Sequence, residues 1–150
     1  FCDGMCGLSG GLGQALVEHI QHGKPYLGIC LGLQILFQAS EEGSCAGLGV
    51  LEGCVRRFLA RPGLKVPHMG WNEVRFSNGG SEYFYFAHSY YAAPSPSCAD
   101  TAWGESDYGG AFCSALRRNN LWAVQFHPEK SQRAGLALLR DFVGLYSLSS

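Results

Sequence analysis

The stretch Pro25-Tyr26-Leu27-Gly28-Ile29-Cys30-Leu31-Gly32 constrains this chain more than any other. A short apolar run ends in a cysteine with glycine two residues away on each side, and a longer apolar segment, Leu31 to Glu42, follows. The simplest reading is a strand, a tight turn at Cys30, and a helix over Leu31 to Glu42. Small neighbours on both sides suit a strained turn, because the flanking backbone passes close by. The same arrangement fits two roles for Cys30. It can be a buried thiol between a strand and a helix, which is the common fate of a cysteine. It can also be a nucleophile, with helical N–H groups and the helix dipole aimed at its sulfur and the Leu31 N–H placed to donate to a developing oxyanion.

The run Leu121 to Phe126 delivers Phe126-His127-Pro128-Glu129 to a second strand end. Pro128 stiffens the turn, and Glu129 is near enough in sequence to hydrogen-bond the His127 imidazole. Alone, His-Pro-Glu reads as a surface turn. Beside a cysteine on a glycine-flanked elbow it supplies what nucleophilic catalysis needs: a base to move the proton and an acid to fix that base's tautomer. Parallel strands of a doubly wound sheet bring such ends together.

The rest of the chain reads as α/β with a β-rich middle. Leu12, Ala15, Leu16, His19 and Ile20 recur at helical spacing before Gly23 and Pro25. Gly43 to Gly53 reads as a loop. Strands are expected at Val55 to Phe58, Asn72 to Phe76, Tyr83 to Ala87, Tyr90 to Ala92, Ala111 to Arg117 and Leu121 to Phe126, with Asn119-Asn120 as a hairpin turn. Leu136, Leu139, Phe142, Val143 and Tyr146 form a helical stripe at the end. The 150 residues suit a single domain with no linker or repeat.

Composition narrows the partners. Eleven Lys and Arg against 12 Asp and Glu leave no basic block, which argues against nucleic acid and anionic membrane surfaces. The run Tyr26 to Phe37 is too short to span a bilayer, and no secretory leader pattern is present, so a cytoplasmic location is expected. Seven cysteines, an odd number with no Cys-x-x-Cys pair, argue against a disulfide framework and a zinc site and lead us to expect free thiols and no metal or other cofactor. His19 and His22 read as boundary residues. His68 and His88 sit in the distinctive segments Val66-Pro67-His68-Met69-Gly70-Trp71-Asn72 and Phe86-Ala87-His88-Ser89-Tyr90-Tyr91, where a satisfied structural histidine is the default.

Taken together, Gly28 to Gly32 with Gln34, and Phe126-His127-Pro128-Glu129 far downstream, resemble the class I, triad-type glutamine amidotransferases. Within that class, Val66 to Asn72, Gln125 to Ser131, Ser40-Glu41-Glu42 and Phe86 to Tyr90 are similar to the amidotransferase subunits of imidazole glycerol phosphate synthases. The resemblance implies a flavodoxin-like three-layer sandwich with a mostly parallel central sheet and an antiparallel β insertion. It implies Cys30, His127 and Glu129 as the catalytic triad, the Leu31 N–H as an oxyanion donor, and Gln34, Ser89 and Tyr90 as glutamine-binding residues. His68, Met69, Gly70, Trp71, Asn72 and Lys130 are implied to face a barrel-shaped cyclase subunit that consumes the ammonia in histidine biosynthesis. Members of the family carry further strands and a Pro-Gly-x-Gly loop upstream of Phe1, so an N-terminally truncated domain is expected. Alternatives are an amidotransferase of another pathway, against which the Pro-His-Met-Gly-Trp-Asn run speaks, and an inactive fragment that only docks on the synthase.

Overall fold

A computed structural model describes residues 1–147 of the chain. Two helices come first, α1 (Cys2–Gly7) and α2 (Leu12–Gln21), then strand β1 (Tyr26–Ile29) and a single helical turn, α3 (Leu31–Gln34). Strands β2 (Phe37–Ser40), β3 (Leu51–Arg57), β4 (His68–Phe76), β5 (Ser81–His88), β6 (Tyr90–Pro94), β7 (Ala102–Asp107), β8 (Ala111–Arg118) and β9 (Leu121–Val124) follow. Helix α4 (Gln132–Ser147) closes the described chain.

The strands make one mixed sheet. β1 runs parallel to β9 and β2 parallel to β3, while β3–β6, β6–β8, β8–β9, β7–β8, β4–β7 and β4–β5 are antiparallel. Strand β9 shows how the layers form. All four of its residues, Leu121 to Val124, are buried, so both faces of the strand are covered. Leu121 and Ala123 belong to a core with Ile20 of α2, Leu33, Leu36, Phe37 and Leu116. Trp122 and Val124 belong to the opposite core, with Phe84, Phe86, Phe126 and Leu138 of α4. Alternation along one strand therefore serves a core on each face of the sheet.

Several local expectations hold. Helix α2 covers the expected residues, and Asn119 turns the β8–β9 hairpin with φ 50°. Asn120 Nδ2 donates to the carbonyls of Ile20 and Lys24, tying that hairpin to the end of α2.

Others change. The helix expected over Leu31 to Glu42 stops at Gln34, and Phe37–Ser40 becomes a strand beside β3. Phe37 and Leu36 are fully buried there, and the Leu36 carbonyl accepts the Leu51 N–H, so pairing with β3 outcompetes further helical turns. Strand β3 starts inside the stretch read as a loop, β4 starts at His68 instead of Asn72, and β7 was not expected at all. On α4 the buried face is Gly135 and Leu138, with Leu139 and Phe142 half-buried, whereas Leu136 and Val143 of the expected stripe are exposed. The cysteines also depart from expectation. Cys2 and Cys45 form a disulfide across 43 residues, with Cα atoms 5.5 Å apart, and Cys6, Cys30, Cys54, Cys98 and Cys113 are free. Their separation in sequence carried no signal, since only the packing of α1 against the loop after β2 brings them together.

Among the described residues, no helix is long and apolar enough to cross a membrane, and no group of three or more His, Cys, Asp or Glu could hold a metal ion. Because Trp122 is almost wholly buried against Trp103 and Phe142, truncating it should cost the two-layer core more than any surface change. Trp122→Ala is expected to lower the unfolding free energy by about 3–5 kcal/mol, read from urea midpoints.

Candidate active site

Cys30 sits immediately after β1 with φ 50° and ψ −102°, a backbone state that L-residues adopt only when the surroundings force it. The forcing is visible. The Cys30 N–H donates to the Val124 carbonyl of β9, and the Cys30 carbonyl accepts the N–H groups of Leu33 and Gln34. Gly28 lies so close under the turn that a Cβ there would stand 2.6 Å from the Gly32 carbonyl oxygen. That same oxygen accepts the Tyr26 hydroxyl at 2.6 Å, and burial pushes the Tyr26 phenol up to about 12. The two glycines of the sequence motif thus have different duties: Gly28 permits the close approach, and Gly32 supplies the carbonyl that Tyr26 clamps.

Burial pushes the Cys30 thiol up from its ordinary value; the Leu31 N–H and the Gln125 side chain pull it down, and the charges of Glu129 and Glu42 push it up again. The one-turn length of α3 removes the long helix dipole expected behind the sulfur. What remains is local: the N–H of Leu31, and Gln125 Nε2 at 3.5 Å from Sγ.

His127 lies three residues beyond Val124, whose partner in the parallel register is Ile29, so both chemistry-bearing residues stand at the same end of adjacent parallel strands. His127 Nδ1 and Glu129 Oε1 are 2.7 Å apart. The turn that carries them is pinned on two sides. The His127 N–H donates to the Tyr85 carbonyl of β5, Ser131 Oγ donates to the His127 carbonyl, and the Tyr85 N–H donates to Ser131 Oγ. Gly135 of α4 backs the turn so tightly that a Cβ would overlap the Pro128 carbonyl.

A cavity of about 370 Å³ opens over Cys30, lined by Leu31, Gln34, Glu42, Pro67, Met69, His88, Ser89 and Tyr90 among others. It therefore gathers Cys30, Gln34, Ser89 and Tyr90 as the sequence implied, and it does not include His127 or Glu129. Gln34 is buried, with Nε2 donating to the Tyr90 carbonyl at 3.0 Å and to Gln125 Oε1 at 3.2 Å. A separate groove lined by Arg56, Arg57, Arg61 and Tyr108 contains none of the site residues that the resemblance implied.

The five residues His68 to Asn72 do not share one environment. Met69 and Trp71 are exposed on β4, whereas His68 is buried, stacked on Phe86 and Tyr108, and so cannot present its ring to a partner as expected. Strand alternation explains the split. Lys130 is exposed, with Nζ 6.0 Å from the Tyr85 ring centre, next to Trp71. His68 and His88 are instead wired to each other. His88 Nδ1 donates to the Tyr90 carbonyl at 2.8 Å, so its Nε2 accepts from His68 Nδ1 at 2.9 Å, and His68 Nε2 faces Asn72 Nδ2 at 3.3 Å. Burial lowers His68 to about 4 and His88 to about 3, keeping both neutral. Gln125 is the residue sequence reasoning missed as a sulfur contact. Its place next to Phe126-His127, directly after the strand that runs parallel to β1, was the available signal.

The family profile described as "Glutamine amidotransferase class-I" matches residues 7–144. The chain belongs to this family. It is 51% identical over 131 residues to "Imidazole glycerol phosphate synthase subunit HisH" of Synechococcus elongatus, covering 81% of this chain and 59% of that protein. It is 48% identical over 152 residues to the protein of the same name from Moorella thermoacetica, covering 95% and 70%, and 47% identical over 141 residues to "Imidazole glycerol phosphate synthase hisHF, chloroplastic" of Arabidopsis thaliana, covering 89% and 24%. The chain thus spans about 59% of the length of the Synechococcus relative. Among solved structures, a glutamine amidotransferase aligns with TM-score 0.67 at 19% identity over 89% of this chain and 69% of its own. Another from Thermotoga maritima aligns with TM-score 0.57 at 21% identity over 91% and 54%. These two share the chain's fold, and together with the family profile they bear out the class I amidotransferase fold that the resemblance implied.

Two outcomes follow from the site. Gly28→Ala should push the Gly32 carbonyl off its place, destabilising the domain by about 1–3 kcal/mol in denaturant titrations and slowing alkylation of Cys30. Acid should weaken the fold through the histidine pair. Both folded-state values lie below the ordinary 6.5, so the unfolded chain binds these protons first. Stability is then full above about pH 6.5 and falls as the pH drops toward about 4 and 3. Thermal melts should show that slope, reduced in a His68→Phe variant.

Proposed function

We propose that the chain carries the glutamine-hydrolysing site of an imidazole glycerol phosphate synthase, acting in histidine biosynthesis. The observation that carries the reading is the strained Cys30 elbow set beside a His127–Glu129 pair at one end of the parallel β1–β9 ladder. The chemistry follows from that set. Cys30 loses its proton to His127 and attacks the side-chain amide carbon of glutamine. Glu129 holds the imidazole through Nδ1, leaving Nε2 for the proton. The Leu31 N–H stabilises the oxyanion. Collapse of the tetrahedral adduct passes the proton to departing ammonia and leaves a glutamyl thioester. His127 then activates water, and glutamate leaves as the sulfur recovers its proton. Ser89 and Tyr90 line the space over Cys30 where glutamine would lie, with Gln34 at its floor. No cofactor is needed for any of these steps.

Ammonia goes to a cyclase subunit docked on the outer face of the β4–β5 hairpin. Met69 and Trp71 of β4, Tyr83 and Tyr85 of β5 and Lys130 lie on this face, and Met69, Trp71 and Tyr83 are exposed large apolar groups. Aromatic and Met anchors with a cationic rim suit a protein interface. The names of the Synechococcus and Moorella relatives support the same assignment. A role in another amidotransferase pathway lacks such support. Single-domain organisation over residues 1–150 and a cytoplasmic setting belong to this reading.

Glutamate release, assayed with the cyclase subunit present, should vanish in Cys30→Ala. In Glu129→Gln, which leaves the imidazole without its fixed orientation, kcat should fall on the order of 10²–10⁴-fold with little change in KM. Trp71→Ala should weaken cyclase binding roughly tenfold or more. Tight cyclase binding without any glutamate release from the unmodified chain would leave only the docking role.

A further inference from the structure

The Tyr90 carbonyl lies at the meeting point of two hydrogen-bond arms, and a carbonyl can only accept. One arm is the histidine pair, ending in His88 Nδ1. The other is Gln34, whose Nε2 donates to Tyr90 at 3.0 Å. This fixes the Gln34 amide: a flipped side chain would set its oxygen against the carbonyl oxygen. The same Nε2 then donates to Gln125 Oε1 at 3.2 Å, and that in turn fixes the second amide. Gln125 is left with its Nε2 toward Cys30 Sγ, at 3.5 Å. Both glutamines are buried, Gln125 completely, so water cannot substitute for either partner.

We propose that Gln125 holds the Cys30 thiolate through its side-chain N–H, and that Gln34 is a positioning residue that sets the polarity of that amide from the Tyr90 carbonyl. This rests on Cys30 being the nucleophile, but it assigns Gln34 a task other than the grip on glutamine implied by resemblance. An N–H donated to sulfur favours the charged form, where burial and the neighbouring carboxylates oppose it. The groups that face Cys30 are Glu129, paired with His127, on the turn after β9, His88 and Tyr90 around the β5–β6 junction, and Glu42 after β2. The nearby carboxylates act in the opposite sense and His88 has both ring nitrogens engaged, so neither can replace a lost amide donor at the sulfur.

The experiment is the pH dependence of iodoacetamide alkylation at Cys30, quantified on its own peptide by mass spectrometry so that other cysteines do not contribute. It needs no glutaminase activity, so failure of the catalytic reading and failure of this inference separate. Gln125→Met, close in size and without a donor, should raise the apparent Cys30 pKa by about one unit, seen as roughly tenfold slower alkylation on the acidic limb. Gln125→Glu keeps the acceptor for Gln34 but sets a carboxylate against the sulfur, and should raise it further; this variant also stands in if the Met variant does not fold. Gln34→Met, which never touches sulfur, should shift the curve in the same direction by less. The double variant Gln34→Met, Gln125→Met should titrate like Gln125→Met alone, because the two act in series. Unchanged titration in both Gln125 variants would overturn the inference. A Gln34→Met shift that simply adds to that of Gln125→Met would overturn the series arrangement.

Discussion

The structure depends on one piece of backbone: Cys30 held at positive φ where β1 ends. Nothing in a cysteine favours that state, and it costs about 1–3 kcal/mol. The cost is met by contacts on all sides, from the Val124 carbonyl, the first turn of α3, and the Gly32 carbonyl clamped by Tyr26 over a bare Gly28. The result is a sulfur lifted out of the sheet at the head of a cavity, with backbone and amide N–H groups beside it. Without the parallel β1–β9 pairing neither the elbow nor its placement relative to His127 would exist.

The outer hairpin and the chemistry are physically continuous. Strand β5 presents Tyr85 next to the exposed Trp71 on one side, and its backbone N–H and carbonyl bind Ser131 and His127 on the other. Strand β4 alternates in the same way, with Met69 and Trp71 outward while His68 reaches inward to His88, which in turn donates to the Tyr90 carbonyl. A partner seated on Trp71 would therefore press on the two strands that hold the His127 turn and the floor of the Cys30 cavity. Gly135, packed against Pro128 from α4, makes that turn stiff from behind.

Much of this was legible in the sequence because it rests on local rules. The glycine spacing around Cys30, the His-Pro-Glu turn, the Asn119 hairpin and the strands of the β-rich middle each follow from φ preferences, turn chemistry or residue patterning. What was not legible rests on distant partners. Leu31 to Glu42 is apolar enough for a helix, and only the pairing of Phe37–Ser40 with β3 turns half of it into strand. The Cys2–Cys45 bond needs α1 and a loop 43 residues away to meet. His68 looked like an interface residue by motif, and strand alternation buried it. Leu136 and Val143 share a helical stripe with Leu139 and Phe142, yet Leu138 is the position buried on the sheet, with Phe142 against Trp122, while Leu136 and Val143 stay exposed. Gln125 stands in the Gln125 to Ser131 run without any local sign of a sulfur contact, which depends on the register of β1 and β9.

The most direct test of the central claim is covalent labelling of this chain with an electrophilic ketone analogue of glutamine, followed by intact mass and peptide mapping. Five free cysteines make selectivity the readout. One adduct, on Cys30, that glutamine competes away is expected, while a general thiol reagent also marks the exposed Cys6. No adduct, or adducts scattered over several cysteines and indifferent to glutamine, would contradict it.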